Sequence, residues 1–274
     1  MIGFYFRESN ARSVRASEKL KKLLEENGLK YRDVCFAAGA TVSDIDLMIV
    51  FGGDGSVLRA VKIAFDTVPI VAINTGNVGF LTSYEETELD DLVSAIKNDA
   101  LKFSSRRLME VGYGGKKYYA LNDITIAKSY RNDYDSECVK LHFHIDGELV
   151  DTYVSDGLII STPTGSTAYA LSAGGPVMTP GVNAFVAAPI CAHSLHSRPI
   201  VFASTSKTTV TVARSTKECV LYVDGEKVDV ITPGGVVSTS DSDRIVKICD
   251  FSHSFFKRLS VKLNQWSSTD TEIE

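Results

Sequence analysis

The sequence predicts an α/β N-terminal domain with a mostly parallel sheet, followed by a C-terminal all-β domain. Three observations carry this. Through the first hundred residues, apolar runs of strand length alternate with stretches of helical periodicity, the pattern of a parallel sheet covered by helices. One such run, 45–51, ends in Gly52-Gly53-Asp54-Gly55-Ser56 and passes straight into a helical pattern. From Leu108 to Asp250 the runs become short and β-rich, and Asp146-Gly147 and Asp224-Gly225 each sit between alternating segments, the signal of a hairpin turn. The expected division is 1–105 for the α/β domain and 106–252 for the β-rich domain. A helix at about 253–264 is expected to pack back on the first domain, and 265–274, polar and acidic at its end, to form a flexible tail.

In order, residues 2–6 read as a strand and 13–27 as an amphipathic helix, with Val14, Leu20, Leu23 and Leu24 on its apolar face and Gly28 at its stop. Residues 31–36 form a weaker strand. After the central strand and its glycine turn, Val57, Leu58, Val61 and Phe65 recur at helical spacing, with Arg59 and Lys62 on the other side. Residues 69–73 give another buried strand, and 86–98 a helix with Leu89, Leu92, Val93 and Ile96 on one side. In the β-rich part, strands fall at 118–121, 124–127, 139–145, 158–161, 208–213, 220–223 and 245–249. His142 and His144 share one face of a strand, but no third ligand lies nearby, so they read as surface or packed histidines.

A 44% hydrophobic and 23% charged composition is that of an ordinary soluble globular chain. The net charge of −5 gives no electrostatic case for a nucleic-acid or anionic-membrane surface. Anionic substrates therefore need local backbone amides, a few Arg or Lys, or a metal. The opening residues read as a strand rather than a signal peptide, and no apolar run reaches the roughly 18 to 20 residues of a membrane span. The five cysteines are scattered singly, which argues against a zinc site or a disulfide framework and for a reducing cytoplasm.

Chemistry concentrates in a few stretches. The glycine turn leaves the first N–H groups of its helix unpaired, aims the positive end of the helix dipole at the turn, and lets backbone approach a phosphate. Asp54 is the odd residue there, because a carboxylate repels phosphate: it either caps the helix or handles a metal or a hydroxyl proton. No Gly-Lys-Ser/Thr follows, so this is not a Walker loop. The segment Asn74-Thr75-Gly76-Asn77-Val78-Gly79-Phe80-Leu81 also follows a strand and belongs on the same rim, where ligands of parallel sheets gather. Asn122-Asp123 pairs a carboxamide with a carboxylate, able to grip the hydroxyls or base of a nucleoside. Residues 156–176 carry a strand into a hydroxyl-rich turn, with Thr167 or Ser166 expected to cap a short helix and Tyr169 to wall a slot for a flat base.

These stretches, in this order, resemble the NAD kinase family. The matching residues are Gly52-Gly53-Asp54-Gly55-Ser56, Gly79-Phe80-Leu81, Asn122-Asp123, Asp156-Gly157-Leu158 with 161–169, and Ser172-Ala173-Gly174-Gly175-Pro176. Pro189-Ile190, His193-Ser194-Leu195, Arg198-Pro199-Ile200 and Asp224-Gly225 also fit. The glycine-aspartate turn alone is shared with diacylglycerol and sphingosine kinases and with phosphofructokinases; the run from Asp156 to Tyr169 is the specific part. The resemblance implies transfer of a phosphoryl group from ATP, in some members polyphosphate, to the adenosine ribose 2′-hydroxyl of NAD, giving NADP, in a groove between the two domains. By that analogy Asp54 is the general base, Gly53 and Gly55 bring backbone to the phosphates, and Arg59 supplies positive charge. Asn122 and Asp123 bind the nucleoside of NAD. Thr164, Thr167, Ala168 and Tyr169 line its adenine and ribose pocket, with Ala170, Leu171 and Ser172 close behind. Asp156 matches a substrate-binding aspartate that in this family can reach a neighbouring subunit's site, and Glu226 a polar contact. Magnesium is expected on the donor phosphates, with no protein ligands assigned. The family also implies a homodimer or homotetramer built through the β domain. Ala192 and Val154 depart from the family, which often has proline and a basic residue there. A lipid or sphingoid-base kinase and a non-catalytic NAD sensor are the alternatives; the nucleoside-sized slot weighs against the first and the presence of Asp54 against the second.

Overall fold

The structure is a computed structural model that describes residues 1–34, 42–64, 66–76, 79–129, 137–250 and 255–268, with side chains of the last helix described to 262. Expectations placed on Cys35, Phe36, Phe65, Asn77, Val78 and 269–274 lie outside the described residues. In chain order the elements are β1 (Ile2–Tyr5), α1 (Ala11–Glu26), β2 (Tyr31–Asp33), β3 (Leu47–Phe51), α2 (Asp54–Ala64), β4 (Ile70–Asn74), β5 (Tyr84–Glu85) and α3 (Leu89–Lys97). Then follow β6 (Phe103–Tyr113), β7 (Lys116–Ala120), β8 (Asp123–Lys128), β9 (Val139–Ile145), β10 (Glu148–Ser155), β11 (Gly157–Ser161) and α4 (Tyr169–Ser172). The chain ends with β12 (Ala184–Ile190), β13 (Ile200–Ala203), β14 (Thr208–Val212), β15 (Cys219–Val223), β16 (Glu226–Ile231), β17 (Val236–Cys249) and α5 (Phe255–Ser268). Two compact units result: Met1–Arg106 with Ile245–Glu274, and Arg107–Arg244. The second crossing lies inside β17, a strand that begins at Val236, well before the short 245–249 run legible in the sequence, and ends with it at Cys249.

The first unit is a parallel sheet. β3 pairs with both β1 and β4, β2 lies beside β1, and the end of β17 pairs with β4 through Ile248 and Ile70. Both central strands are buried on both faces, as their unbroken apolar sequences require. Leu47, Ile49, Phe51, Val71 and Ile73 meet Leu20 and Leu24 of α1 and Leu89 and Leu92 of α3 in one core. Helix α1 begins at Ala11, not 13, because Asn10 caps it: its side-chain oxygen accepts from the N–H groups of Arg12 and Ser13. Helix α5 runs to Ser268, so a tail from 265 is corrected: no glycine or proline stands between Leu263 and Ser268 to stop the helix. No helix among the described residues is long and apolar enough to cross a membrane.

The second unit is antiparallel. One sheet has the order β13-β12-β11-β8-β15-β16. The other includes β10-β9-β14 and the first part of β17. Residues of both sheets, among them Ile126, Leu158, Leu221, Phe143, Val210 and Val237, share one core. Both Asp-Gly turns join adjacent antiparallel strands, with φ of 50° and 88° at Asp146-Gly147 and 48° and 76° at Asp224-Gly225, the left-handed pair that a two-residue hairpin needs. Gly114-Gly115 makes a third such turn, between β6 and β7. The outer face of β11 and β12 is covered by Ala170 and Met178, which pack on Ile159, Val186 and Ala188.

Candidate active site

In the first unit, parallel pairing of β3 and β4 brings their carboxyl ends, and so the two glycine-bearing turns, to one rim. The Gly52 N–H donates to the carbonyl of Ile73 at 3.0 Å. Gly52 has φ of 153°, and a β-carbon there would lie 2.2 Å from the Ser56 hydroxyl, so a side chain has no room. Above Gly53 and Gly55 nothing lies within 4 Å of where a β-carbon would stand, which leaves their backbone open to an incoming phosphate. Asp54 opens α2, but its carboxylate reaches across to the second turn: Oδ2 accepts from the Phe80 N–H and Oδ1 from the Leu81 N–H, both at 2.9 Å. Of the two sequence readings, these contacts, made to amides 26 and 27 residues away, are not those of a helix cap. The carboxylate is half-buried and held in one orientation, with further lone pairs on each oxygen beyond those two bonds. Arg59 is half-buried in the next turn of α2.

Ser13, which the sequence did not flag, and Asn74, within a stretch that it did, fix this rim. The Ser13 hydroxyl on α1 lies 2.8 Å from that of Thr75 and donates to the Phe51 carbonyl, tying the helix to both turns. Asn74 donates to both Glu85 carboxylate oxygens and accepts from the Gly76 N–H, which sets the start of the second turn. No local signal marks Ser13, which looks like any hydroxyl in the first turn of a helix.

In the second unit the end of β11, the start of β8 and the end of β15 meet through antiparallel pairing. Thr162 donates its N–H to the Asn122 carbonyl at 2.8 Å and its hydroxyl to the Leu121 carbonyl at 2.5 Å. A β-carbon on Gly165 would lie 2.2 Å from the Asn122 carbonyl oxygen, so glycine there lets the 163–167 turn close onto the Asn-Asp pair. Asp224 accepts from three consecutive N–H groups, those of Leu121, Asn122 and Asp123, at 2.9, 2.7 and 3.2 Å. In the sequence Asp224 reads as a hairpin-turn residue and a match to the family; its acceptor role depends on a strand register that no local pattern reveals. Asp123 is buried, and burial, with the Asp224 charge adding to it, pushes its carboxyl up to about 7. Asn122 is also buried, and its side-chain oxygen has no hydrogen-bond partner among the described residues.

The structure thus brings Asn122, Asp123 and Thr164 together, with Glu226 beginning β16 just beyond the Asp224 turn on the same rim. Thr167, Ala168, Leu171 and Ser172 follow in the next turns, and Tyr169 is 47% exposed. Ala170 is wholly buried against Ile159 and Val186, behind the turn that carries Thr167 and Ala168. The expected hydroxyl cap is corrected. No side chain caps α4; Ser166 instead accepts from the Met178 N–H and donates to carbonyls, stitching the turn to the next segment. Asp156 stands at the other end of β11, roughly 16 Å away at strand rise, where it pairs with Lys128 at 2.6 Å.

His142 bonds Thr152, and no group of three His, Cys, Asp or Glu side chains suited to a metal occurs among the described residues. The four described cysteines are free; burial pushes the thiols of Cys219 and Cys249 up to about 12 and 11, as expected of packing residues.

An α/β unit with an acid held in a glycine turn, followed by a β unit with a buried Asn-Asp pair, defines a nucleotide-dependent phosphotransferase. Family models agree: that of the ATP-NAD kinase N-terminal domain matches residues 2–101, and that of the ATP-NAD kinase C-terminal domain matches residues 121–251. An NAD kinase from Petrotoga mobilis is 38% identical over 219 residues, covering 77% of this chain and 78% of the relative. A yeast NADH kinase solved with NADH superposes with a TM-score of 0.82 at 20% identity, covering 100% of this chain and 89% of that one. An Archaeoglobus fulgidus NAD kinase solved with ATP gives 0.77 at 23% identity, covering 96% and 99%. The chain belongs to the ATP-NAD kinase family.

Proposed function

We propose that this NAD kinase transfers the γ-phosphoryl group of ATP to the adenosine ribose 2′-hydroxyl of NAD, with Asp54 as the base. The observation that carries the assignment is the Asp54 carboxylate, held by the amides of Phe80 and Leu81 on a rim with open glycine backbone. Phosphoryl transfer asks mainly for positioning and charge neutralisation. The 2′-oxygen forms its bond to phosphorus as the bond from the γ-phosphorus to the bridging oxygen breaks, ADP leaves, and the hydroxyl proton passes to Asp54. A carboxylate of this kind accepts the proton late, when the hydroxyl has become acidic. Gly53 and Gly55 admit the phosphates to the backbone amides, and Arg59 adds positive charge. Magnesium enters on the phosphates of ATP, as phosphoryl transfer from a nucleotide requires. When bound, the ion neutralises phosphate charge.

For the nucleoside, the unpartnered Asn122 oxygen is an acceptor for an amino or hydroxyl donor, and Asp123, near half-protonated at neutral pH, can donate or accept. Thr164, Thr167, Ala168 and Tyr169 line the adenine and ribose pocket, with Leu171, Ser172 and Glu226 at its edge. The place of Asp156 at the far end of β11 supports a role toward the nucleotide of a neighbouring copy, in a homodimer or homotetramer. Free cysteines support a cytoplasmic setting. The test is a coupled assay of NADP formation, with ATP or polyphosphate as donor and NAD, NADH or diacylglycerol as acceptor. NADP formation with ATP is expected; NAD binding without turnover under any donor would overturn the reaction assigned.

A further inference from the structure

We propose that Arg258, on α5, is a positioning residue for phosphoryl transfer, acting through the peptide that joins Gly79 to Phe80. The two ends of this one peptide are held by opposite charges. Its carbonyl, Gly79 O, accepts from Arg258 Nη1 at 2.9 Å, and its N–H donates to Asp54 Oδ2 at 2.9 Å. A cation on the carbonyl and an anion on the N–H polarise the same amide in the same sense, so each bond strengthens the other. Rotation of that peptide plane would break both bonds together. Arg258 also donates to the buried Thr82 hydroxyl at 3.3 Å, so it grips the turn at two points.

The setting of Arg258 suits this task better than general bracing. Helix α5 has no fully buried residue from 255 to 262, with Phe256 at 66% and Val261 at 42% exposure. Arg258 nonetheless turns toward the 79–82 turn, and burial pulls its guanidinium below the usual arginine range although Glu85, Asp54 and Glu88 act to hold the charge. Phe255 and Lys262 of the same helix flank the Phe80 ring, at 6.1 Å between ring centroids and 4.8 Å from the lysine nitrogen. The helix thus presses on the residue whose N–H binds the acid.

The inference rests on Asp54 being the base. Its test compares Arg258→Met, Arg258→Lys and Arg258→Ala by steady-state kinetics and thermal melting. Arg258→Met is expected to lower kcat about 10- to 100-fold while KM for NAD and ATP stays within about twofold, since a misplaced acid slows chemistry more than binding. Arg258→Lys, which restores a point charge at the carbonyl, is expected to recover part of the loss. Millimolar guanidinium is expected to raise kcat of Arg258→Ala, although it weakens folding generally. Undiminished kcat in Arg258→Met, or a loss that follows the folded fraction with no recovery by lysine, overturns the proposal. Failure of the Asp54 assignment reads differently: Asp54→Asn would then keep its turnover whatever residue stands at 258.

Discussion

Gly79 and Asp54 are in such close contact that a β-carbon built on the glycine would lie 2.1 Å from the carboxylate Oδ1. No real β-carbon tolerates that approach, so Gly79→Ala must move the acid, the turn, or both. Movement of about 1 Å at a reacting group costs about 100-fold in rate. Gly79→Ala is expected to fold, to bind NAD with near-native affinity by calorimetry, and to lose about 100-fold in kcat. Retention of full kcat would separate the position of Asp54 from the chemistry.

Asp54→Asn tests the acid itself. The amide cannot accept a proton, and one of its two ends presents N–H groups to the Phe80 or Leu81 amide that the carboxylate satisfied. Two effects are expected together: turnover falls by about 10² to 10⁴-fold, and stability falls by about 1–3 kcal/mol for the unsatisfied donor. Equilibrium NAD binding should survive. Thermal melting beside the kinetic assay separates the two, and most of the turnover persisting would exclude Asp54 as the base.

Asp123 predicts a pH dependence of stability with a definite sign. Its carboxyl is raised from 3.8 to about 7 by burial first and the Asp224 charge second. The folded state therefore holds a proton that the unfolded state has released over this range. The associated stability is fully present below pH 3.8 and is lost as pH rises through about 7. At about 1.4 kcal/mol for each pKa unit, the loss is on the order of 4 kcal/mol. Chemical denaturation across that range should show this fall, superimposed on the contributions of other carboxylates, and Asp123→Asn should remove it. An unchanged slope in Asp123→Asn would place the titration elsewhere.

The sequence reveals this molecule best where one local pattern suffices. The unbroken apolar runs in β3 and β4 announced strands buried on both faces, and Asp146-Gly147 and Asp224-Gly225 announced hairpins, because left-handed backbone is tolerated by few residue types. Asp54 was legible as an anomaly, a carboxylate in a turn built for phosphate. Its binding to Phe80 and Leu81 was not, since the 26 residues to Phe80 are spanned only when two parallel strands align their ends. Arg258 was opaque for the same reason at a separation of 179 residues. The hydroxyls of Ser166 and Thr167 misled, because a serine before a helix suggests a cap, whereas here tertiary contact with Met178 outweighs it. The burial of Ala170 was not legible either: adjacency in sequence to the exposed Tyr169 says nothing about which way an alanine packs.

The Asp224 staple makes a prediction that separates shape from charge. With φ of 48°, residue 224 favours Asp, Asn or Gly, so Asp224→Asn keeps the hairpin and removes the charge. The amide oxygen can still accept from Asn122 and Asp123, but the Leu121 N–H then faces an NH₂ group, costing about 1–3 kcal/mol. Loss of the negative charge also removes one of the two causes that hold the Asp123 carboxyl high, so that carboxyl must titrate lower than about 7. KM for NAD is expected to rise more than kcat falls, because the residues displaced are those assigned to the nucleoside and not to the transferred phosphoryl group. The pH-dependent loss of stability should still begin near pH 3.8, where the unfolded chain titrates, but end at lower pH than in the native chain and be smaller in total, measurable by the same denaturation series. Asp224→Ala should show the same downward move with a larger stability loss, since all three amides lose their acceptor. A pH midpoint that stays put in both variants would mean that burial alone sets the Asp123 carboxyl, and that the acidic neighbour serves the backbone and nothing else.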